Sequence, residues 1–321
     1  MNCNVRRVIL EELKGAGSYV SGETLSERAG VSRVAIWKHV QRLKDEGYQI
    51  KSIRGRGYSL LKSPGKLLPY ELQPLDVDVV GRRIIHLDDV GSTNLFLEGK
   101  AGEGEGLVVI AEEQAEGKGR MDRVWKSPEG GIWMSVLLKP VLPLDRAFLL
   151  SAISALAISE SLQEVGLDAA VKWPNDVLVR GRKICGILAK IDGELDVVNY
   201  TIIGIGVNVN FGREELSLEN VTTVKSELGR EVDRKSMARD LIERLDGWYK
   251  VLKEGLYDDI LNAWRTRSAI LGQEIKIRKV SGEVYMGTAA GLSESGGLIV
   301  ECEDGCKRTF RSGDATLLDE P

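Results

Sequence analysis

Histidine is nearly absent from this chain, with only His39 and His86 in 321 residues, and cysteine is scarce, at four. Only Cys302 and Cys306 lie close together, so a Cys/His zinc site lacks ligands at any familiar spacing. The pair reads as small strand or loop residues. Long hydrophobic runs are missing too. The longest uncharged apolar stretch, Ala147–Ser159, is too short to span a bilayer and predicts a buried helix. The first residues contain no apolar signal core, so we expect a cytoplasmic protein with no membrane partner. Neither G-x-x-x-x-G-K-[ST] nor a G-x-G-x-x-G after a strand occurs, so any nucleotide must be held by another device. There is no internal repeat and no low-complexity tract.

What is present is an ordinary globular balance, 43% hydrophobic and 29% charged, in a chain long enough for two or three domains. Charge is unevenly placed. Residues 1–62 carry twelve Lys and Arg against six Asp and Glu, although the whole chain has a formal charge of −4. A basic head on an acidic body suits contact with a polyanion, or is simply a solvated basic surface.

The head has a readable order. Ser21 can cap a helix that buries Leu25 and Ala29, Gly30-Val31 turns, and Ser32 can cap a second helix ending at Gly47. In that helix Ile36, Val40 and Leu43 recur at helical spacing. Short strands around Tyr48–Ile53 and Tyr58–Leu61 meet at Gly55-Arg-Gly57, so residues 1–62 predict a winged helix-turn-helix. Ser32, Arg33, Trp37, Lys38 and Gln41 then form the candidate DNA-reading face, with Arg54 and Arg56 on the wing. A helical hairpin used for protein contacts is the plainer alternative, and Trp37 could equally face the core.

Pro64, Gly65, Pro69 and Pro74 predict a linker. From 67 to 270 we expect an α+β domain with a mixed sheet: strands near Arg83–Leu87, Leu107–Ala111, Ile132–Leu138, Ala170–Lys172, Asp176–Val179, Ile184–Ile191 and Val197–Val209. Helices are expected over Thr93–Glu98, Asp145–Val165 and Lys235–Lys253. Residues 271–319 predict a small β-barrel of five strands, with Gly282, Gly291, Gly296-Gly297, Gly305 and Gly313 at its turns.

Three clusters could carry chemistry. After a strand, Gln114 leads into Gly117-Lys-Gly-Arg120 and Arg123, where glycines admit a ligand and cations meet an anion. Lys172-Trp-Pro-Asn-Asp176 interrupts an apolar run with a lysine, an amide and a carboxylate. Gly181-Arg-Lys-Ile-Cys-Gly-Ile-Leu188 puts Lys183 at a strand mouth beside Gly186, and Gly204-Ile-Gly-Val-Asn208 puts glycines inside a buried strand, a sign of close approach.

With Gly91-Ser-Thr-Asn94, these motifs follow the order and spacing of the biotin–protein ligases, and with the head the whole chain resembles the bifunctional biotin-operon repressor/ligase family. The resemblance implies a winged helix-turn-helix, a central domain of the class II synthetase/biotin ligase type and a C-terminal SH3-like barrel. It implies formation of biotinyl-5′-AMP from biotin and ATP with Mg²⁺, then transfer of biotin to a lysine of a biotin carboxyl carrier domain. It also implies operator binding, repression of biotin-synthesis genes, and a homodimer when biotinyl-AMP is bound. By this resemblance, Ser92, Thr93, Asn94, Gln114, Lys118, Gly119, Arg120 and Gly186 seat biotin. Arg120, Arg123, Trp125, Lys172, Asn175, Asp176 and Asn208 hold ATP, and Asp176 and Asn208 place Mg²⁺. Lys183 bridges the biotin carboxylate and the α-phosphate, and with Arg120, Asp176 and Lys172 forms the catalytic set. The family usually has a glycine where this loop has Met121-Asp122, from which we expect faster escape of the intermediate. Two alternatives remain: a biotin sensor without ligase activity, and a lipoate- or octanoyl-class transferase using Cys185, which two-residue alternation puts on the same strand face as Lys183.

Overall fold

A computed structural model describes residues 2–194, 197–216, 218 and 220–318. The chain divides into two compact units, Met1–Pro74 and Leu75–Pro321.

The first unit contains α1 (Asn2–Ala16), α2 (Gly22–Ala29) and α3 (Arg33–Asp45), then the antiparallel hairpin β1 (Gln49–Ile53) and β2 (Gly57–Lys62). Both expected caps form: Ser21 Oγ accepts from the Thr24 N–H and Ser32 Oγ from the Ala35 N–H. Gly30, at φ 64, supplies the left-handed residue that ends α2. Leu25, Ile36, Val40 and Leu43 form one core with Ile9, Leu10 and Leu13 of α1, a helix the sequence reading did not identify. At the base of the wing, the Tyr58 N–H and carbonyl pair with Val20, and a β-carbon on Gly57 would run into the Val20 backbone.

The expected linker is the clearest correction in this unit. Leu67 and Leu72 are fully buried, and Leu68 and Tyr70 join the head core around α4 (Pro69–Leu72). Glu71, almost buried, receives Lys14 Nζ at 2.8 Å and the Tyr48 hydroxyl, while the Tyr70 hydroxyl donates to Glu46. Prolines marked a break in regular structure, but leucines among them had apolar surface to bury. The unit therefore runs past 67, where the catalytic domain was expected to begin.

The second unit is built on seven strands in the order β3-β4-β5-β9-β8-β7-β6. These are β3 (Arg83–Val90), β4 (Leu107–Gln114), β5 (Ile132–Leu138), β6 (Ala169–Lys172), β7 (Asp176–Val179), β8 (Arg182–Glu194) and β9 (Val197–Val207). Only β3 and β4 run parallel, so the sheet is mixed, as expected. The helix α5 (Thr93–Glu98) packs on β4, β5 and β9, with Leu97 buried against Leu107, Val109, Leu137 and Ile202. The helix α6 (Phe148–Glu164) is buried on all sides over most of its length, which is why its apolar residues lack a single face. It is covered by α8 (Arg234–Lys253) and α9 (Tyr257–Thr266); a short α7 (Val224–Leu228) precedes them.

Five C-terminal strands, β10 (Glu274–Arg278), β11 (Val284–Leu292), β12 (Leu298–Cys302), β13 (Lys307–Phe310) and β14 (Asp314–Leu317), form an antiparallel sheet in the order β13-β12-β11-β10-β14. Strand number and alternation match the small barrel expected, left open between β13 and β14. Gly291 is not at a turn; it sits in β11 where the register with β12 shifts. Trp173 Nε1 donates to the Gly296 carbonyl at 3.2 Å, which ties this sheet to the β6–β7 turn. Among the described residues no helix is long and apolar enough to cross a membrane.

If residues 67–72 belong to the head core, Leu68→Ala in the full chain should destabilise the head by about 2–3 kcal/mol. Hydrogen exchange of the α1 and α3 amides reads this directly, and unchanged protection would return the segment to the status of a linker.

Candidate active site

The pocket of the second unit lies where β8 and β9 are glycine-rich. Gly186 of β8 pairs directly with Gly206 of β9, and Leu188 with Gly204. A β-carbon on Gly206 would overlap the Trp125 indole, one on Gly186 would stand 3.0 Å from its ring edge, and one on Gly204 would overlap the Asn94 amide. The close approach expected from these glycines is real, and in this structure it is made by two side chains.

One end of the pocket is a polar network already in place. Gln114, at the end of β4, accepts on its amide oxygen from the Thr93 N–H and hydroxyl, each at 2.9 Å. Its amide nitrogen therefore points the other way and donates to Ser127 Oγ at 2.9 Å. Ser135 Oγ lies 2.7 Å from Thr93 Oγ1 and 2.5 Å from Asn94 Oδ1, and its one proton can serve either. Asn94 Nδ2 donates to the Leu188 carbonyl at 3.3 Å. Met134, Ile187, Leu188 and Ile205 supply apolar wall beside this end. Ser135 was missed by the sequence reading, although a serine inside the run Ile132–Leu138 was a visible signal.

The other end is charged. Lys183 Nζ pairs with Asp176 Oδ1 at 2.7 Å and stands 5.1 Å from the centre of the Trp125 ring. Arg120 donates to Asn175 Oδ1 and to the Gly313 carbonyl, both at 3.1 Å, and lies 3.3 Å from Asp314 Oδ1. Arg123 bonds the other Asp314 oxygen at 2.7 Å. Asn175 is fixed in turn by donating to the Ile187 carbonyl at 2.7 Å. Four cations (Lys118, Arg120, Arg123 and Lys183) line the pocket against two carboxylates, Asp176 and Asp314, so an anion is favoured there. Asp314 comes from the C-terminal sheet, nearly two hundred residues from Arg120, and nothing local to it in sequence announced the contact.

The loop carrying Lys118–Arg123 closes on itself: Gly119 N–H donates to the Arg123 carbonyl at 2.7 Å and Trp125 N–H to the Gly117 carbonyl at 2.8 Å. Closure forces Met121 to φ 54 and Asp122 to φ 57, the left-handed region where a β-carbon costs about 1–2 kcal/mol per residue. Lys118 and Asp122, both exposed, are 4.0 Å apart, too far and too wet to offset this.

The pocket wall thus gathers Ser92, Thr93, Asn94, Gln114, Lys118, Gly119, Arg120, Arg123, Trp125, Asn175, Asp176, Lys183 and Gly186, as the sequence anticipated. Two expected residues are not in it. Lys172 is the cross-strand partner of Asp176 but stands outside the wall. Asn208 is buried, its amide donating to the Thr222 carbonyl at 3.1 Å, where it braces the chain that pairs with Lys183. Among the described residues no three metal-ligating side chains cluster, and both pocket carboxylates are engaged by cations. The protein alone does not fit a resident Mg²⁺.

Cys185 also departs from expectation. A bulge between β7 and β8 pairs Leu178 with Lys183 but Val177 with Cys185, inserting Ile184 and breaking two-residue alternation. Lys183 faces the pocket; Cys185 is fully buried outside its wall, and burial pushes its thiol well above the usual range. A buried neutral thiol is a poor nucleophile.

In the first unit, a separate groove runs between α3 and the wing. It is lined by Arg33, Trp37, Gln41 and Lys44 on one side and Arg54 and Arg56 on the other. Trp37 is exposed, so its core-facing alternative falls away. Ser32 is occupied as the α3 cap, and the exposed Lys38 lies outside the groove.

Comparison with known proteins agrees with both sites. Residues 90–208 match the Biotin/lipoate A/B protein ligase family, 5–59 an HTH domain and 270–318 the Biotin protein ligase C terminal domain. The Bifunctional ligase/repressor BirA of Bacillus spizizenii is 34% identical, over 97% of this chain and 98% of that protein. Its Escherichia coli counterpart is 32% identical, over 99% and 98% respectively. The solved structure of the biotin protein ligase from Aquifex aeolicus in complex with biotin and ATP aligns with a TM-score of 0.64 at 29% identity, over 74% of this chain and 98% of that one. With full-length likeness above 30% identity joined to this pocket and this head, the chain belongs to the family of bifunctional biotin–protein ligases and repressors.

Proposed function

We propose that this protein activates biotin with ATP, transfers it to a lysine of a biotin carboxyl carrier domain, and uses its head to repress biotin-synthesis genes. The observation that carries the reading is one pocket with a preformed polar and apolar end beside a cationic end. The Gln114–Thr93 network suits the ureido ring of biotin, which both donates and accepts, and the apolar wall suits its carbon skeleton. The carboxylate of biotin then reaches Lys183.

In the first step the carboxylate oxygen attacks the α-phosphorus of ATP and pyrophosphate leaves. Negative charge grows on the phosphate oxygens, and fixed cations stabilise it most where water is excluded. Lys183, oriented by Asp176, takes that role; Arg120 and Arg123 steady the phosphates once these compete with Asp314. In the second step the acceptor lysine attacks the carbonyl of biotinyl-5′-AMP and AMP leaves. Mg²⁺ would arrive on the ATP phosphates rather than in a site of the protein's own, and Lys172 and Asn208 would act from behind the wall. Use of ATP supports a cytoplasmic setting. The outer edge of β3, unpaired among the described residues, supports dimerisation there when biotinyl-AMP is bound, which would present two heads to a two-fold operator.

Four outcomes test this reading. Lys183→Met should lower biotin-dependent ATP–pyrophosphate exchange by roughly 10²–10³-fold. Cys185→Ala should keep transfer to a carrier domain; its loss would restore the cysteine-nucleophile alternative. Asp122→Gly relaxes one left-handed residue by about 1 kcal/mol and should slow release of biotinyl-AMP roughly fivefold. An unchanged release rate would separate loop strain from retention. Sedimentation with biotin and ATP should show tighter self-association than without them, and an unmoved constant would count against the ligand-driven dimer.

A further inference from the structure

The head carries an apolar surface that its own folding does not need. On α3, Ile36, Val40 and Leu43 are fully buried, yet Val34 is 65% and Trp37 53% exposed. Three residues apart, they lie on one helix face, and both line the groove between α3 and the wing. Around them stand Arg33, Lys44, Arg54 and Arg56, with Glu23 the one acidic residue in the groove wall. This rim is complementary to a polyanion rather than to an apolar protein surface. In the major groove of DNA, base edges present donors and acceptors, and the one apolar group among them is the 5-methyl of thymine.

We propose that Val34 and Trp37 read thymine methyl groups, while Arg33 and Gln41 take polar base edges and the wing arginines take phosphates. The proposal rests on the DNA-binding reading of the head and deepens it by naming the base feature recognised. A recognition helix bearing only Arg, Lys and Gln would bind through hydrogen bonds and charge. Here a tryptophan and a valine stay in water until a methyl-bearing base edge covers them, which makes burial of the methyl part of the discrimination.

The test enriches duplexes from a random-sequence library with the full chain in the presence of biotin and ATP. The selected duplex is then remade with deoxyuridine replacing thymidine one position at a time, which removes only the methyl. Wild-type protein should bind about fourfold more weakly at one or more positions, from the burial of one methyl group. Each such penalty should disappear in Trp37→Ala or in Val34→Ala, whose folding is checked by thermal melting. Indifference of wild type to every deoxyuridine, or undiminished sensitivity in both variants, overturns the proposal. Failure to enrich any sequence overturns the DNA-binding reading beneath it. Wild-type affinity in Trp37→Ala, together with lost self-association in sedimentation, gives the face to a second copy of this chain and also overturns it.

Discussion

Gly186 and Gly206 face each other across β8 and β9, and two missing β-carbons there let the Trp125 indole lie against the sheet. The rest of the catalytic arrangement follows from that contact. Trp125 closes one side of the pocket, Lys183 stands over its ring, and the loop from Gly117 is drawn in because its residues precede the tryptophan. Asp176, paired with Gly186 at the next strand, is thereby within reach of Lys183. A larger residue at either glycine would lift Trp125 and with it the loop, so the glycines act on chemistry through packing.

Charge at the pocket is held in reserve by pairing. Lys183 is occupied by Asp176, and Arg120 and Arg123 by Asp314. These pairs keep the half-buried Lys183 and Arg120 and the exposed Arg123 in place without leaving them uncompensated, and a phosphate can replace a carboxylate with little reorganisation. The C-terminal sheet therefore completes the site through one turn, Gly313-Asp314, rather than through a surface of its own. The loop it restrains is strained at Met121 and Asp122, so closure is a balance between ionic anchoring and backbone conformation.

The head follows a different rule. Its interior is satisfied by α1, α2, α3 and the α4 segment, with a buried contact from Tyr48 to Glu71 and a half-buried one from Tyr70 to Glu46 fixing α4 in place. What remains outside on α3 is a mixture of cationic, amide and apolar side chains, a composition suited to reading base edges as well as gripping backbone.

Much of this was legible in residue order. Local patterns are enough for Ser21 and Ser32 caps, for Ile36, Val40 and Leu43 as a buried stripe, and for strands such as Ile132–Leu138, because caps and periodicity depend on neighbours in the chain. Motif spacing likewise placed Gln114, Arg120, Asp176 and Lys183 in one pocket. Tertiary structure alone decided the rest. Whether Leu67–Leu72 is linker or core depends on an apolar surface brought by α1, and Asp314 meets Arg120 only once the C-terminal sheet is in place. A one-residue bulge turned Cys185 away from Lys183, and Lys172 and Asn208 fell behind the pocket wall. Spacing along a chain gives no coordinate across a sheet, and strand register sets which face each side chain takes.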